Sequence, residues 1–211
     1  MTNIKFENAL NRVEQKCPPI WMMRQAGRYQ TGYMDMKEKF TFEQMCKLPK
    51  LASEVAMLPI KQFDFDIAIL FSDILWHLEG LGFPLKFDPG PKFETHLSEE
   101  NWEQYVDVGR ALAHIKFQSN AIEATREALP LKKSLIGFVG GPWSLLNYVL
   151  GPNKVSNEFK SVYLRTVLIP LIKDSIRAQK LAGAEVVMIL DSGLENVSKN
   201  YYDSTYLPML E

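Results

Sequence analysis

The sequence predicts an α/β fold built on a parallel sheet, and three observations carry that prediction. Four short apolar runs lack polar alternation, as strands covered on both faces do. Amphipathic helical patterns lie between the runs. A polar or glycine-bearing cluster follows each run, where a parallel fold has the carboxyl ends of its strands and binds its ligands.

The first run is Pro19-Ile20-Trp21-Met22-Met23, with Arg24 and Arg28 behind it. Residues 50–63 carry Leu51, Val55, Leu58 and Ile60 at helical spacing, and Pro59 predicts a kink or an end there. The second run, residues 67–71, leads to Ser72 and Asp73. Residues 80–92 are rich in Gly and Pro and read as a long loop or a short hairpin. Residues 102–129 form one helical pattern (Val108, Leu112, Ile115, Ile122, Leu129), with Ser98 as its N-cap. The third run, residues 135–139, leads to Gly140, Gly141 and Pro142, with Tyr148 one to two turns on. Residues 155–181 carry Phe159, Val162, Tyr163, Val167, Leu171 and Ile176, with a break expected near Pro170 and an end at Gly183. The fourth run, residues 186–190, leads to Asp191 and Ser192. Neither a linker nor an internal repeat interrupts this alternation, which predicts one domain across residues 1–211.

Composition narrows the function. The chain has 211 residues, 46% hydrophobic and 23% charged, with net charge −1. Folded as one domain it would bury roughly 70% of its unfolded surface. Near-neutral charge argues against binding nucleic acid through overall charge. Two cysteines, Cys17 and Cys46, make neither a disulfide framework nor a four-ligand zinc site. The N-terminus lacks the apolar core of a secretory signal, and no apolar stretch is long enough to span a membrane. A cytoplasmic protein is the default expectation.

The polar clusters have two readings each. Arg24 and Arg28 are four residues apart, with small Ala26 and Gly27 between them. They suit bidentate carboxylate or phosphate binding, or ordinary surface ion pairs. Asp73 sits among apolar and small residues. It is either an N-cap or a carboxylate in an apolar cleft that awaits cationic or N–H partners. Tyr148 shares a helix face with Ser144 or Leu145, and reads as packing or as a ligand contact. Asp191 and Ser192 fit helix capping as well as ligand contact. The glycines at 137, 140 and 141 match no phosphate-loop pattern. His77, His96 and His114 are scattered without metal-ligand spacing and read as structural or surface residues. A Ser/His/Asp nucleophile signature is absent from the sequence.

Three motifs together resemble the uroporphyrinogen decarboxylase family: PIWMMRQAGRY at 19–29, DIAILFSDIL at 66–75 and GFVGGPWSLLNY at 137–148. The resemblance runs through the chain in order. It implies a TIM (β/α)8 barrel, usually homodimeric, which uses neither a metal nor an organic cofactor. It implies removal of carbon dioxide from the four acetate arms of uroporphyrinogen III to give coproporphyrinogen III. Carried over by motif, Arg24 and Arg28 bind substrate carboxylates, and Gln25, Ala26 and Gly27 line the cleft between them. Asp73 binds the pyrrole N–H groups, Tyr148 lies near the reacting acetate, and Ser192 contacts a substrate carboxylate. Arg24, Asp73 and Tyr148 are thus the implied catalytic residues. By the same resemblance Arg24 is a candidate proton donor, although a guanidinium is a reluctant acid.

The chain departs from the family pattern in two ways. The family continues RQAGRY with LPEYR, where this chain has QTGYM at 30–34. Met34 replaces the expected arginine, and Lys37 is the nearest basic residue. A complete barrel also takes about 250 residues. Four strands and a final apolar helical pattern, YLPMLE, predict an incomplete N-terminal half-barrel cut inside the helix after strand four. The family's late active-site histidine then has no counterpart. Such a half-barrel is expected to be inactive alone and prone to associate, through open sheet edges and an uncovered apolar face. The alternatives are a superfamily-related corrinoid methyltransferase and a non-catalytic tetrapyrrole-binding module.

Overall fold

The computed structural model describes residues 3–210, with the backbone alone at Asn196. In chain order its elements begin with α1 (Ile4–Leu10), α2 (Thr31–Lys39), α3 (Phe42–Lys47), α4 (Pro49–Phe63), β1 (Ile67–Ile69) and α5 (Trp76–Leu81). There follow β2 (Leu85–Phe87), β3 (Pro91–Phe93), α6 (Val108–His114), α7 (Lys116–Ala128), β4 (Ser134–Gly140) and α8 (Pro142–Leu150). The chain closes with α9 (Asn157–Tyr163), α10 (Ile169–Leu181), β5 (Val186–Leu190), α11 (Lys199–Tyr201) and α12 (Leu207–Leu210).

The fold is the α/β fold expected: a partial barrel on a parallel sheet of order β1-β4-β5. Strand β1 runs parallel to β4 in the register Ile67↔Ser134, Ala68↔Leu135, Ile69↔Ile136. Every residue of β4 is buried, as a central parallel strand requires. Strand β5 is at an edge of this sheet, and Ile189 in it is 51% exposed. Backbone contacts group the chain into two compact units.

The first unit comprises residues 1–73, 116–138 and 177–188. Helices α4 and α7 pack side by side in it. Helix α4 turns Val55, Ala56, Pro59 and Ile60 inward, and α7 turns Ala121, Ile122 and Thr125 inward. Before the strands, Asp66 accepts from the Ile20 N–H at 2.9 Å, Asn3 Nδ2 at 3.3 Å and Lys5 Nζ at 3.2 Å. Beside it Ser134 Oγ donates to Glu185 at 2.8 Å, and Arg126 pairs with Glu185 at 3.4 Å. These bonds satisfy polar groups at the amino ends of the strands, the end of a barrel that serves stability.

The second unit comprises residues 74–115, 139–176 and 189–211. Phe83 stacks on Tyr105 with ring centroids 3.9 Å apart, and Tyr163 donates its hydroxyl to the Tyr105 carbonyl at 2.8 Å. His77 is fully buried and bonds Ser175 Oγ at 2.9 Å and the Ile74 carbonyl at 3.2 Å. Burial pushes its pKa down to about 4, so it is neutral at pH 7, the structural role expected of it.

Several elements differ from expectation. The run at 19–23 forms no strand. One backbone bond joins it to the sheet, from Asp66 N–H to the Ile20 carbonyl at 3.0 Å. Beyond that, side chains supply the bonds that a ladder would have made. Pro59 does not end α4, which runs on to Phe63, because burial of its helix face against α7 outweighs the one lost hydrogen bond. The pattern at 102–129 breaks into three pieces: a 3-10 turn Trp102–Tyr105, then α6 and α7. Asp107, not Ser98, caps α6, accepting from Arg110 N–H at 2.8 Å. Near Pro170 the helix does not break. It widens over Leu164–Leu168, where Ile169 N–H reaches back five residues to the Leu164 carbonyl, and this loosened turn accommodates the ring. The Gly/Pro-rich segment holds a hairpin, β2 antiparallel to β3, although Gly80 belongs to α5.

Candidate active site

The predicted site residues fall in both units, and each unit builds its own group. In the first unit, the loop 22–29 is organised by Gln25, which is 2% exposed. Its Oε1 accepts the Met22 N–H at 3.2 Å, and its Nε2 donates to the Ile67 carbonyl at 3.1 Å. One side-chain amide thus stands in for a peptide group between the loop and β1. Gln25 spends both polar ends on backbone and positions the loop. Arg24 and Arg28, on either side of this anchor, are exposed, and neither has an ion pair among the described residues. The surface-ion-pair alternative for them is therefore not realised. Tyr33, whose hydroxyl titration burial pushes upward, feels the Arg28 charge in the opposite direction. Ala26 and Gly27 are half-buried. A Cβ on Gly27 would meet only the Tyr29 ring at 3.8 Å, so this glycine is not forced by crowding.

Asp73 is half-buried and follows β1 by four residues. It is not the N-cap of α5: Leu75 holds that place, without a side-chain bond. The sequence reading missed the residue that fixes this segment. Gln118 on α7, 2% exposed, donates to Ser72 Oγ at 2.9 Å and to the Asp73 carbonyl at 3.3 Å. Its helical spacing with Ala121 and Ile122 marks Gln118 as inward but names no partner for it.

In the second unit, Asp191 is the organiser, and it caps a helix other than the one that follows it. Its Oδ1 accepts the Ser144 N–H of α8 at 2.7 Å, and its Oδ2 accepts the Tyr206 hydroxyl. The Tyr206 oxygen in turn accepts the Trp143 N–H at 3.2 Å. Two first-turn amides of α8, which have no partner within the helix, are thereby satisfied. Gly141 is required here: a Cβ on it would lie 2.2 Å from both Cβ and Cγ of Asp191. Gly141 thus makes room for an internal carboxylate, not for a phosphate. Ser192 is exposed, and Gly193 N–H donates to Ser144 Oγ at 2.8 Å. Tyr148 stands one turn beyond Ser144 on α8 and is 43% exposed, so it is not a core aromatic. A surface hollow of about 380 Å³ lined by Ser98, Asn153 and Lys154 among others includes none of the predicted residues. Among the described residues no cluster of His, Cys, Asp and Glu has metal-binding geometry, and no helix is long and apolar enough to cross a membrane.

Chemically, the first unit offers two unpaired guanidinium groups and a carboxylate. The second offers a phenol and a hydroxyl on a hydrogen-bonded frame. Residues 1–211 match the uroporphyrinogen decarboxylase (URO-D) family throughout. A uroporphyrinogen decarboxylase of Carboxydothermus hydrogenoformans is 34% identical over 98% of this chain and 63% of its own length. That of Methylobacillus flagellatus is 35% identical over 91% of this chain and 59% of its own. That of Neorickettsia sennetsu is 36% identical over 86% and 59%. This chain thus spans about three-fifths of the length of these relatives. Among solved structures, a methyltransferase from Methanosarcina mazei superposes with TM-score 0.75 over 99% of this chain and 64% of its own, at 16% identity. That likeness speaks for the fold alone. The chain belongs to the uroporphyrinogen decarboxylase family.

Proposed function

We propose that this family member is the part of a cofactor-independent carboxy-lyase that grips uroporphyrinogen and stabilises its ring during decarboxylation. The observation that carries this reading is the pair of exposed, unpaired arginines, Arg24 and Arg28, on a loop pinned by a buried glutamine. Uroporphyrinogen carries eight carboxylates, and each arginine supplies charge-assisted bonds to one. Ser192 adds a hydroxyl donor. Protonation of a pyrrole carbon turns the ring into an electron sink. The bond between the acetate methylene and its carboxylate breaks, its electron pair enters the ring, and carbon dioxide leaves. A proton then reaches the exocyclic methylene to make the methyl group, and the ring carbon returns its own. The net change consumes one carboxylate and one proton and yields one methyl group and one carbon dioxide. Positive charge develops on the ring meanwhile, and the Asp73 carboxylate beside the pyrrole N–H groups stabilises it, an effect worth a few kcal/mol. Tyr148 orients the reacting acetate. Arg24 acts on carboxylates rather than as the acid, since a guanidinium gives up its proton poorly.

The whole enzyme, in this reading, is a cytoplasmic homodimer with a complete (β/α)8 barrel, and residues 1–211 form one folding domain of it. The 211-residue chain alone is expected to be inactive, because three parallel strands with an exposed edge do not enclose the macrocycle.

Uroporphyrin, the stable oxidised macrocycle, is the probe. The chain is expected to bind it with micromolar affinity by fluorescence titration. Arg24→Gln and Arg28→Gln should each weaken binding about tenfold, and Asp73→Asn more modestly. Wild-type affinity in both arginine variants sinks the reading. Turnover of uroporphyrinogen III by the isolated chain at ordinary enzyme rates would refute its inactivity, while binding without turnover, even after the remaining barrel is supplied from the Carboxydothermus relative, would make it a binding module.

A further inference from the structure

We infer that Asp191 is a positioning residue that locks Tyr148 and Ser192 into one rigid piece; this rests on the decarboxylase reading for the use of those two side chains. Asp191 is adjacent in sequence to Ser192 and caps, across the chain, the helix that carries Tyr148. Both carboxylate oxygens are spent, one on the Ser144 N–H and one on the buried Tyr206 hydroxyl. A second bridge, Gly193 N–H to Ser144 Oγ at 2.8 Å, ties the turn after Ser192 to the same residue of α8. A third, Gly141 N–H to the Leu190 carbonyl at 2.8 Å, ties the preceding backbone. Three contacts around one helix start therefore set the height of Tyr148, one turn further on, relative to Ser192. Gly141 has no room for a Cβ at this joint, against Asp191, and Gly193 packs tightly against Ser144 and Asn147. A helix cap needs only one accepting atom. Here the carboxylate takes the hydroxyl of a residue fifteen positions later as well, which fixes its own rotamer.

The test compares Asp191→Ala, Asp191→Asn and Tyr206→Phe with Gln179→Ala, which removes a buried bond to the Phe138 carbonyl within the first unit. In the unliganded chain, amide exchange at Trp143 and Ser144 and the ring resonances of Tyr148 are followed by NMR. Uroporphyrin affinity is measured alongside. Asp191→Ala is expected to speed exchange at both amides at least tenfold, shift the Tyr148 signals and weaken binding at least tenfold. Asp191→Asn keeps an acceptor for Ser144 and leaves the Trp143 N–H its Tyr206 partner, so it should lose less than Tyr206→Phe, and both less than Asp191→Ala. Gln179→Ala should lower stability and leave the affinity and the Tyr148 signals in place. Unmoved Tyr148 signals in Asp191→Ala, or a loss of affinity no greater than that of Gln179→Ala, overturns the inference. A wild-type chain that fails to bind uroporphyrin overturns the decarboxylase reading instead, and the Tyr148 signals then decide the positioning alone.

Discussion

The side-chain amide of Gln118 donates to the Asp73 carbonyl at 3.3 Å and shares the same nitrogen with Ser72 Oγ at 2.9 Å. The backbone that carries the Asp73 carboxylate is therefore held by a helix 45 residues later in the chain. The Oε1 of Gln118 is buried without a partner among the described residues. Replacement by leucine removes the two bonds but also relieves that atom, and the opposing effects are each about 1–3 kcal/mol. Gln118→Leu should accordingly shift the urea midpoint little while weakening uroporphyrin binding at least fivefold. Unchanged affinity would show that the Ser72–Asp73 segment holds its geometry unaided.

Gly141→Ala places a Cβ in the space of the Asp191 carboxylate. The cap is expelled and the joint is overpacked, at a cost of about 2–4 kcal/mol. Once Asp191 is itself glycine the added methyl meets neither its Cβ nor its carboxylate. The double variant should then be about as stable as Asp191→Gly alone, a non-additivity that denaturation of all four proteins measures.

His77 makes stability depend on pH. Its folded-state pKa is depressed to about 4, so the unfolded chain, with an ordinary histidine near 6.5, binds the extra proton first. Stability from this group is full above pH 6.5 and falls until about pH 4, by about 3 kcal/mol in all. Thermal unfolding followed from pH 7.5 to 4 should show this slope, and His77→Gln should flatten it. A slope that survives the substitution assigns it to other groups.

Asp66 acts in a lower window. Burial pushes its pKa up, but the Ile20 N–H and the Lys5 ammonium pull harder, and the net shift is downward. A carboxylate depressed in the folded state stabilises above its unfolded value of 3.8 and loses that support as pH falls further. Asp66→Asn loses the Lys5 pair and leaves part of the Ile20–Asn3 cluster unmatched, at a cost of about 1–3 kcal/mol at neutral pH. Chemical denaturation at pH 7 checks the cost, and wild-type stability in the variant rejects the assignment.

Three of the four apolar runs were legible as strands because each is buried on both faces, or borders one that is, and an apolar run says so locally. The run at 19–23 misled because Asp66 and Gln25, distant in sequence or polar in character, take over its bonds. Helix continuity through Pro59 and Pro170 was not legible either. The penalty of proline is local, whereas the packing that overrides it comes from elsewhere in the chain.

Residue chemistry and order in the chain thus sufficed for the α/β class and the family. A parallel strand reports its burial in its own composition, and motif residues are recognised by type and spacing. Which groups hold those residues in place was settled only by the folded chain. Gln118 reaches Ser72, and Asp191 reaches Ser144 and Tyr206, across separations of 15 to 47 residues. A side-chain hydrogen bond needs two groups within about 3 Å, and no local pattern of sequence encodes that meeting.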